Sequence, residues 1–209
     1  MAQKNTAADE AVRPAASRPP RCAWVPDNDP LYQAYHDSEW GRPERDARAL
    51  YELLMLESFQ AGLSWKTILH KRVAFRAAFD GFDPARIADY GEDKIEALLQ
   101  DAGIVRHRGK IVATIKGAQS WLRLEREQAG GFATFIWDVV EGEPRCSRPA
   151  TPADLPVKTP QAEQLSKKLK QAGFNFVGPT ICYAFMQAAG LVDDHSQDCF
   201  CAHKPASPA

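Results

Sequence analysis

Four side chains able to ligate a metal lie near the two ends of the chain: Cys22 and His36 at one end, His195 and Cys199 at the other. Zinc favours four nitrogen or sulfur ligands in a tetrahedron, and His195 and Cys199, four positions apart, can reach one ion from a turn or a short helix. Cys22 and His36 stand fourteen positions apart, wider than a finger knuckle. Spacing therefore also allows buried cysteines beside unrelated histidines, and it leaves Cys201 and His203 as substitute ligands. Neither end carries a strong helical pattern, and a metal that closes so long a loop would hold both ends to the body. With four protein ligands the ion would be structural. A zinc hydrolase needs three ligands and an open position for an activated water, which this set argues against.

The sharpest single residue is an acid. A helix capped by Asp46 and running through about Leu56 or beyond carries Leu50, Leu53 and Leu54 on one face, and Glu57 continues that inward stripe with Ala61 one turn on. A carboxylate on a core-facing stripe is costly unless it is paired or opens on a pocket. Fraying of the helix end, which would leave Glu57 in solvent, is the plainer alternative. Gln60, Gly62 and Trp65 follow closely, and the run LYQAYHDSEWG supplies Tyr32, Tyr35 and Trp40. Aromatic faces around one acid suit a flat, electron-poor or cationic ring, held by stacking and cation–π attraction with the acid as hydrogen-bond acceptor. Core filling is the common alternative for such aromatics.

Two segments suit a phosphate backbone. GFNFVGPT, Gly173 to Thr180, forms a short apolar hairpin between two helices, of helix-hairpin-helix type, preceded by Lys167, Lys168 and Lys170. The backbone around Phe176, Val177, Gly178 and Thr180 would offer N–H groups and a helix N-terminus to a phosphate, with glycine allowing close approach. A plain turn between helices competes with that reading, and lysines on a helix are usually a solvated face. The second segment, Arg106-His107-Arg108 with Lys110, opens a long helix. Cations there oppose the helix dipole, which suggests either an anionic partner or a solvated helix start.

The elements that must position these residues are helices. Ser64 caps a segment with Ile68, Leu69, Val73 and Phe79 inward. Glu92 to Asp101 carries Ile95, Leu98 and Leu99, and a long helix from Arg108 carries Ile111, Ile115, Ala118 and Leu122. The stretch from Gly142 to Pro160 holds five prolines and predicts an irregular connection crossing the surface between two lobes. Thr159-Pro160 then starts a helix that Gly173 stops, and another begins at Thr180. With no sustained period-2 stretch, the fold class is all-α, a single domain over 21–201 with a disordered extension at 1–20 and a flexible tail at 202–209. The chain has 209 residues, 44% hydrophobic and 25% charged, with a formal net charge of −1 and no apolar run near the roughly 18 residues a membrane span requires. The first twenty residues lack a secretory apolar core, so the five cysteines are expected to be reduced thiols in the cytoplasm. A near-neutral charge neither demands nor excludes nucleic acid.

The segments RCAWV (from Arg21), YHDSEWGRP (from Tyr35), LESFQAGLSW (from Leu56), DAGIVRHRGKI (from Asp101) and GFNFVGPTICYAFMQAAGLVDDH (from Gly173), followed by Cys199, closely resemble type I 3-methyladenine DNA glycosylases, in unbroken order from about Arg21 to Cys201. The resemblance implies a helix-hairpin-helix glycosylase fold, one structural Zn2+ on Cys22, His36, His195 and Cys199, and double-stranded alkylated DNA as partner of a monomer. It implies a base pocket of Glu57, Tyr35 and Trp65 with Tyr32 alongside. Many helix-hairpin-helix glycosylases carry a catalytic Asp after the hairpin, which this type generally lacks. Here Asp193 or Asp194 would assist the reaction or, as favoured, orient the zinc-binding histidine. Gly178 is followed by Pro179 and Thr180 rather than the Lys of bifunctional relatives, so no lyase activity is expected. The rival is a zinc-stapled damaged-DNA-binding module without catalysis, in which Glu57 is dispensable.

Overall fold

The structure, a computed structural model, describes residues 19–202. The expected disorder of 1–20 and flexibility of 202–209, like the alternative ligand His203, fall almost wholly outside them. Nine α-helices stand among the described residues: α1 (Pro30–Ser38), α2 (Ala47–Gln60), α3 (Trp65–Ala78), α4 (Pro84–Ile87), α5 (Glu92–Gln100), α6 (Arg108–Glu127), α7 (Gly131–Trp137), α8 (Pro160–Gln171) and α9 (Pro179–Ala188). Their starts follow the capping chemistry of the sequence. The Asp46 carboxylate accepts from Ala49 N at 2.8 Å, and the hydroxyls of Ser64 and Thr159 accept from Thr67 N and Ala162 N at 3.2 Å each.

α2 is the axis of the molecule. Every residue from Leu50 to Phe59 is buried, because α3, α6, α7 and α9 all pack on it. A helix apolar nearly all round can only be central, so its one mid-helix acid facing a cavity, Glu57, is carried into the interior by its neighbours. α3 differs in one respect from its periodicity: Val73, expected inward, is 80% exposed, while Ile68, Leu69 and Phe79 are buried. Its side faces away from α2, and Phe75 fills the core position instead.

Two features escaped the sequence patterns. The tyrosine-rich run is a short helix, α1, started by Asp29 and Pro30. The proline-rich connection contains a two-residue strand, β1 (Arg145–Cys146), paired in parallel with β2 (Val192–Asp193), with Arg145 opposite Val192 and Cys146 opposite Asp193. That pairing fixes the segment after α9, and a bond from Phe200 N to Pro20 O at 2.8 Å draws the two ends of the described chain together. No helix among the described residues is long and apolar enough to cross a membrane.

Candidate active site and metal centre

Beneath the start of α1, a cavity of about 220 Å³ is lined by Trp24, Tyr32, Tyr35, Trp40, Glu57, Gln60, Trp65, Leu155, Ala184 and Gln187. The four expected pocket residues thus meet, although they come from three helices. Glu57 is 2% exposed, and burial raises its carboxyl to about 8. Glu57 Oε2, Gln60 Oε1 and Trp65 Nε1 are buried without any hydrogen-bond partner. Buried polar atoms are rarely left so, and three around one cavity mark a place for something outside the chain. The rings form a wall: Tyr35 and Trp65 lie 5.2 Å apart between centroids, and Tyr32 meets Tyr35 and Trp24 edge-on at 6.4 and 5.6 Å. Burial, then the nearby Glu57, raises the phenols of both tyrosines.

α1 and α3 are held together at this wall by Asp29. Its carboxylate caps α1 at Tyr32 N (3.2 Å) and also meets His70 Nε2 (2.8 Å) and Lys66 Nζ (3.0 Å) on α3. The bond from His70, chiefly, holds Asp29 down at about 2.

Where the chain ends meet, ligand atoms of His36, His195, Cys199 and Cys201 lie within 4.8 Å of one another, all four residues buried. Cys201, a substitute in the sequence reading, is in this group. Cys22 is outside it but its sulfur lies against that of Cys199. Each histidine is aimed by an acid: His36 Nδ1 lies 2.8 Å from Asp37 Oδ1, and His195 Nδ1 lies 2.6 Å from Asp193 Oδ1. The opposite nitrogens face the cluster, with His36 Nε2 at 3.4 Å from Cys199 Sγ and His195 Nε2 buried without a partner. That orphaned nitrogen, with soft donors around it, fits a metal ligand. Gly41 leaves room for the ring: with φ +71°, a Cβ there would sit 2.8 Å from His195 Cε1.

Of the two acids after α9, Asp193 serves His195 as described, whereas Asp194, 2% exposed, accepts from Ser147 Oγ, Tyr183 Oη and Gln187 Nε2. At the α8–α9 hairpin, Phe176 is 40% exposed with φ +56°, and Thr180 is exposed. Nothing stands within 4 Å of a Cβ on Gly178, so the backbone there is open to approach. Val177 is different. Its side chain is buried and its carbonyl accepts from Ser166 Oγ at 2.6 Å, leaving only its amide for a ligand.

The basic cluster at the start of α6 is divided: Arg106, His107 and Arg108 are exposed, while Lys110 is not. Arg108 pairs with Glu92 and Glu96, and Lys110 is buried, donating to the carbonyls of Phe59 (2.8 Å) and Ala61 (2.6 Å) at the end of α2. Among the cavity residues, sequence patterns missed Trp24, Leu155, Ala184 and Gln187. Trp24 had a signal, lying inside the RCAWV segment, and Ala184 and Gln187 lie inside the segment from Gly173 to His195; Leu155 arrives from the proline-rich connection, outside every such segment.

The family described as methyladenine glycosylase matches residues 24–202. DNA-3-methyladenine glycosylase 1 of Escherichia coli (strain K12) is 50% identical over 181 residues, covering 87% of this chain and 96% of that protein. A crystal structure of a 3-methyladenine DNA glycosylase I superposes with a TM-score of 0.85 at 53% identity, covering 87% of this chain and 99% of the other. Another 3-methyladenine DNA glycosylase I, a variant solved in complex with 3-methyladenine, gives a TM-score of 0.84 at 41% identity, over 88% of this chain and 98% of that one.

Proposed function

The chain belongs to the methyladenine glycosylase family, and from that premise we propose that it hydrolyses the N-glycosidic bond of 3-methyladenine in double-stranded alkylated DNA, without a lyase step. The observation that carries the reading is Glu57, a buried carboxyl with an unpartnered oxygen in a cavity walled by Tyr32, Tyr35 and Trp65. A glycosidic bond inside the stack is out of reach, so the nucleotide turns out of the duplex, and damage lowers that cost of a few kcal/mol. Methylation at N3 makes the attached adenine cationic and a good leaving group. Tyr35 and Trp65 stack on it, and the cation draws Glu57 to its carboxylate form, as close opposite charge does. The carboxylate accepts hydrogen bonds from the base edge. An unmethylated base is neutral, brings nothing to offset ionisation of Glu57, and so meets a protonated acid in place of the carboxylate acceptor. The C1′–N9 bond breaks with its electron pair going to the base, which departs uncharged; a water oxygen bonds to C1′ and its proton passes to solvent.

The remaining parts of the reading concern grip and framework. The hairpin at Phe176, Val177, Gly178 and Thr180 acts as a helix-hairpin-helix, its amides and the α9 N-terminus taking a backbone phosphate. Leu63, 44% exposed on the turn between Glu57 and Trp65, suits an apolar wedge for the gap in the stack. One Zn2+ per chain on Cys22, His36, His195 and Cys199 fits the donors, and the choice of Cys22 over Cys201 rests on the sulfurs. Cys22 Sγ and Cys199 Sγ accept backbone N–H bonds from Ser196 and Cys201 at 3.4 Å each, the acceptor role a metal-bound sulfur keeps, whereas Cys201 Sγ is directed as a donor at the carbonyls of Asp37 and His36 (3.8 and 4.0 Å). A metal held there ties both chain ends of a single domain, 21–201, that works as a monomer. No step of the reaction passes through it.

Incubation with methylated duplex DNA and chromatography of the released bases tests the proposal. The parent is expected to release 3-methyladenine and Glu57→Gln to release it about 10²-fold more slowly, the scale of losing one well-placed polar contact. Tight binding of the DNA by folded protein with no base released would replace the enzyme by the binding module.

A further inference from the structure

We propose that Gln187 is a second reader of the bound base, an acceptor whose direction is set by Asp194; the inference rests on the cavity being the base pocket. Gln187 stands on α9 and lines the cavity from a different helix than Glu57. Its Nε2 donates to Asp194 Oδ2 at 2.8 Å. Asp194 is itself fixed from two further sides, by Ser147 Oγ at 2.5 Å and by the Tyr183 hydroxyl on α9. A carboxylate ringed by donors has only acceptor atoms to offer, so the amide of Gln187 must turn its nitrogen to Asp194 and its oxygen the other way. No described residue donates to that oxygen.

The chemistry of the lesion then selects what Gln187 Oε1 meets. In 3-methyladenine, whether attached through N9 or free, the exocyclic amine at position 6 carries the only N–H hydrogens of the ring. It has two, one for Glu57 and one for Gln187. A purine with a carbonyl at position 6 would set a lone pair against Oε1, and a site built to accept hydrogen bonds rejects such an analogue because its own polar atoms stay unpaired. Gln187 thus adds recognition of the 6-amino group to the charge selection of Glu57, and Asp194 is a positioning residue that acts through Gln187.

The test uses the full-length protein and its Gln187→Leu, Asp194→Asn and double variants. Quenching of tryptophan fluorescence reads the binding of free 3-methyladenine and 3-methylhypoxanthine, beside base release from methylated duplex DNA and thermal melting. Gln187→Leu is expected to weaken 3-methyladenine binding about tenfold, with 3-methylhypoxanthine binding no weaker than in the parent and melting unchanged. Asp194→Asn is expected to weaken 3-methyladenine binding several-fold on its own and not at all in the Gln187→Leu background, the non-additivity of residues acting through one contact. Unaltered 3-methyladenine binding in Gln187→Leu overturns the proposal. Equal losses from Asp194→Asn in both backgrounds overturn its positioning role and leave it as a structural tie. A parent that neither binds the base nor releases it sinks the glycosylase reading itself, an outcome distinct from an active parent with an indifferent Gln187.

Discussion

The base cavity and the clamp where the chain ends meet are both buried and both rich in polar atoms, yet they treat those atoms in opposite ways. In the clamp, Asp37 takes Arg21 and His36, Asp193 takes His195 and Arg148, and Asp194 takes three donors. In the cavity, an acid oxygen, an amide oxygen and an indole N–H have no partner. Saturation marks a region built for stability; orphaned atoms mark one built for a visitor. The clamp has one exception, His195 Nε2, and by the same logic it marks a place able to take a metal ion.

The largest effect should come from breaking the clamp. Cys22→Ser or His195→Ala is expected to abolish bound zinc in elemental analysis. A cross-link over so long a loop is worth about 5 kcal/mol by loop closure, and about 2–4 °C of Tm follows each kcal/mol in a chain of this size, so melting should fall by about 10–20 °C. Chelation of the parent should do the same. Cys201→Ser is the sharpening control: it should keep the metal and melt within about 2 °C of the parent. Metal lost from Cys201→Ser and kept by Cys22→Ser would exchange the two sulfurs' roles.

The cavity should respond in the opposite sense. Glu57 rises from 4.5 to about 8 because burial disfavours its charge, so the folded state holds this proton more tightly than the unfolded chain does. Its contribution is fully present below about 4.5, declines as pH rises, and is lost once pH passes about 8. Glu57→Gln should therefore be more stable than the parent at pH 9, by on the order of 1–3 kcal/mol after the glutamine's own unpaired amide is counted, and melt correspondingly higher. At pH 5, where the parent's carboxyl stays protonated, that advantage should be gone and the glutamine variant should be the less stable of the two by the cost of its amide. An equal gap at both pH values would show that Glu57 finds a partner in solution and would remove the contrast between the regions.

Helix caps and stripes were plain in the sequence because they are local: Asp46, Ser64 and Thr159 each bond within their own first turn. Glu57 was legible for the same reason, standing in register with Leu50, Leu53 and Leu54 on one helix. Gln187 and Leu155 were not, since nothing in their neighbourhoods says that α9 and the proline-rich connection return to α2. The strand pair β1–β2 is two residues long, too short for alternation to register. The basic run at Arg106 to Lys110 misled in part, because composition cannot tell a cation facing solvent from Lys110, which is buried against the carbonyls of α2. The choice between Cys22 and Cys201 depends on which sulfur receives an amide, a property of loop geometry.

The smallest effect tests a carboxylate behind the cavity's wall, tying α1 to α3, yet treated as the clamp treats its own. Asp29 is held near 2, chiefly by His70 with Lys66 and Tyr32 N in support, so its stabilisation is present above the ordinary value near 3.8 and is lost as pH falls toward about 2. Asp29→Asn keeps a good helix cap while removing the charge. Its melting deficit against the parent should shrink as pH falls below about 4 and vanish near 2. His70 is about half exposed, so screening keeps the deficit small. Because Asp29 joins α1 to α3, the same substitution should loosen Tyr35 against Trp65 and raise KM for the lesion more than it lowers kcat. A deficit that persists at pH 2 would mean that the cap, rather than the ion pairs to α3, holds the wall in place.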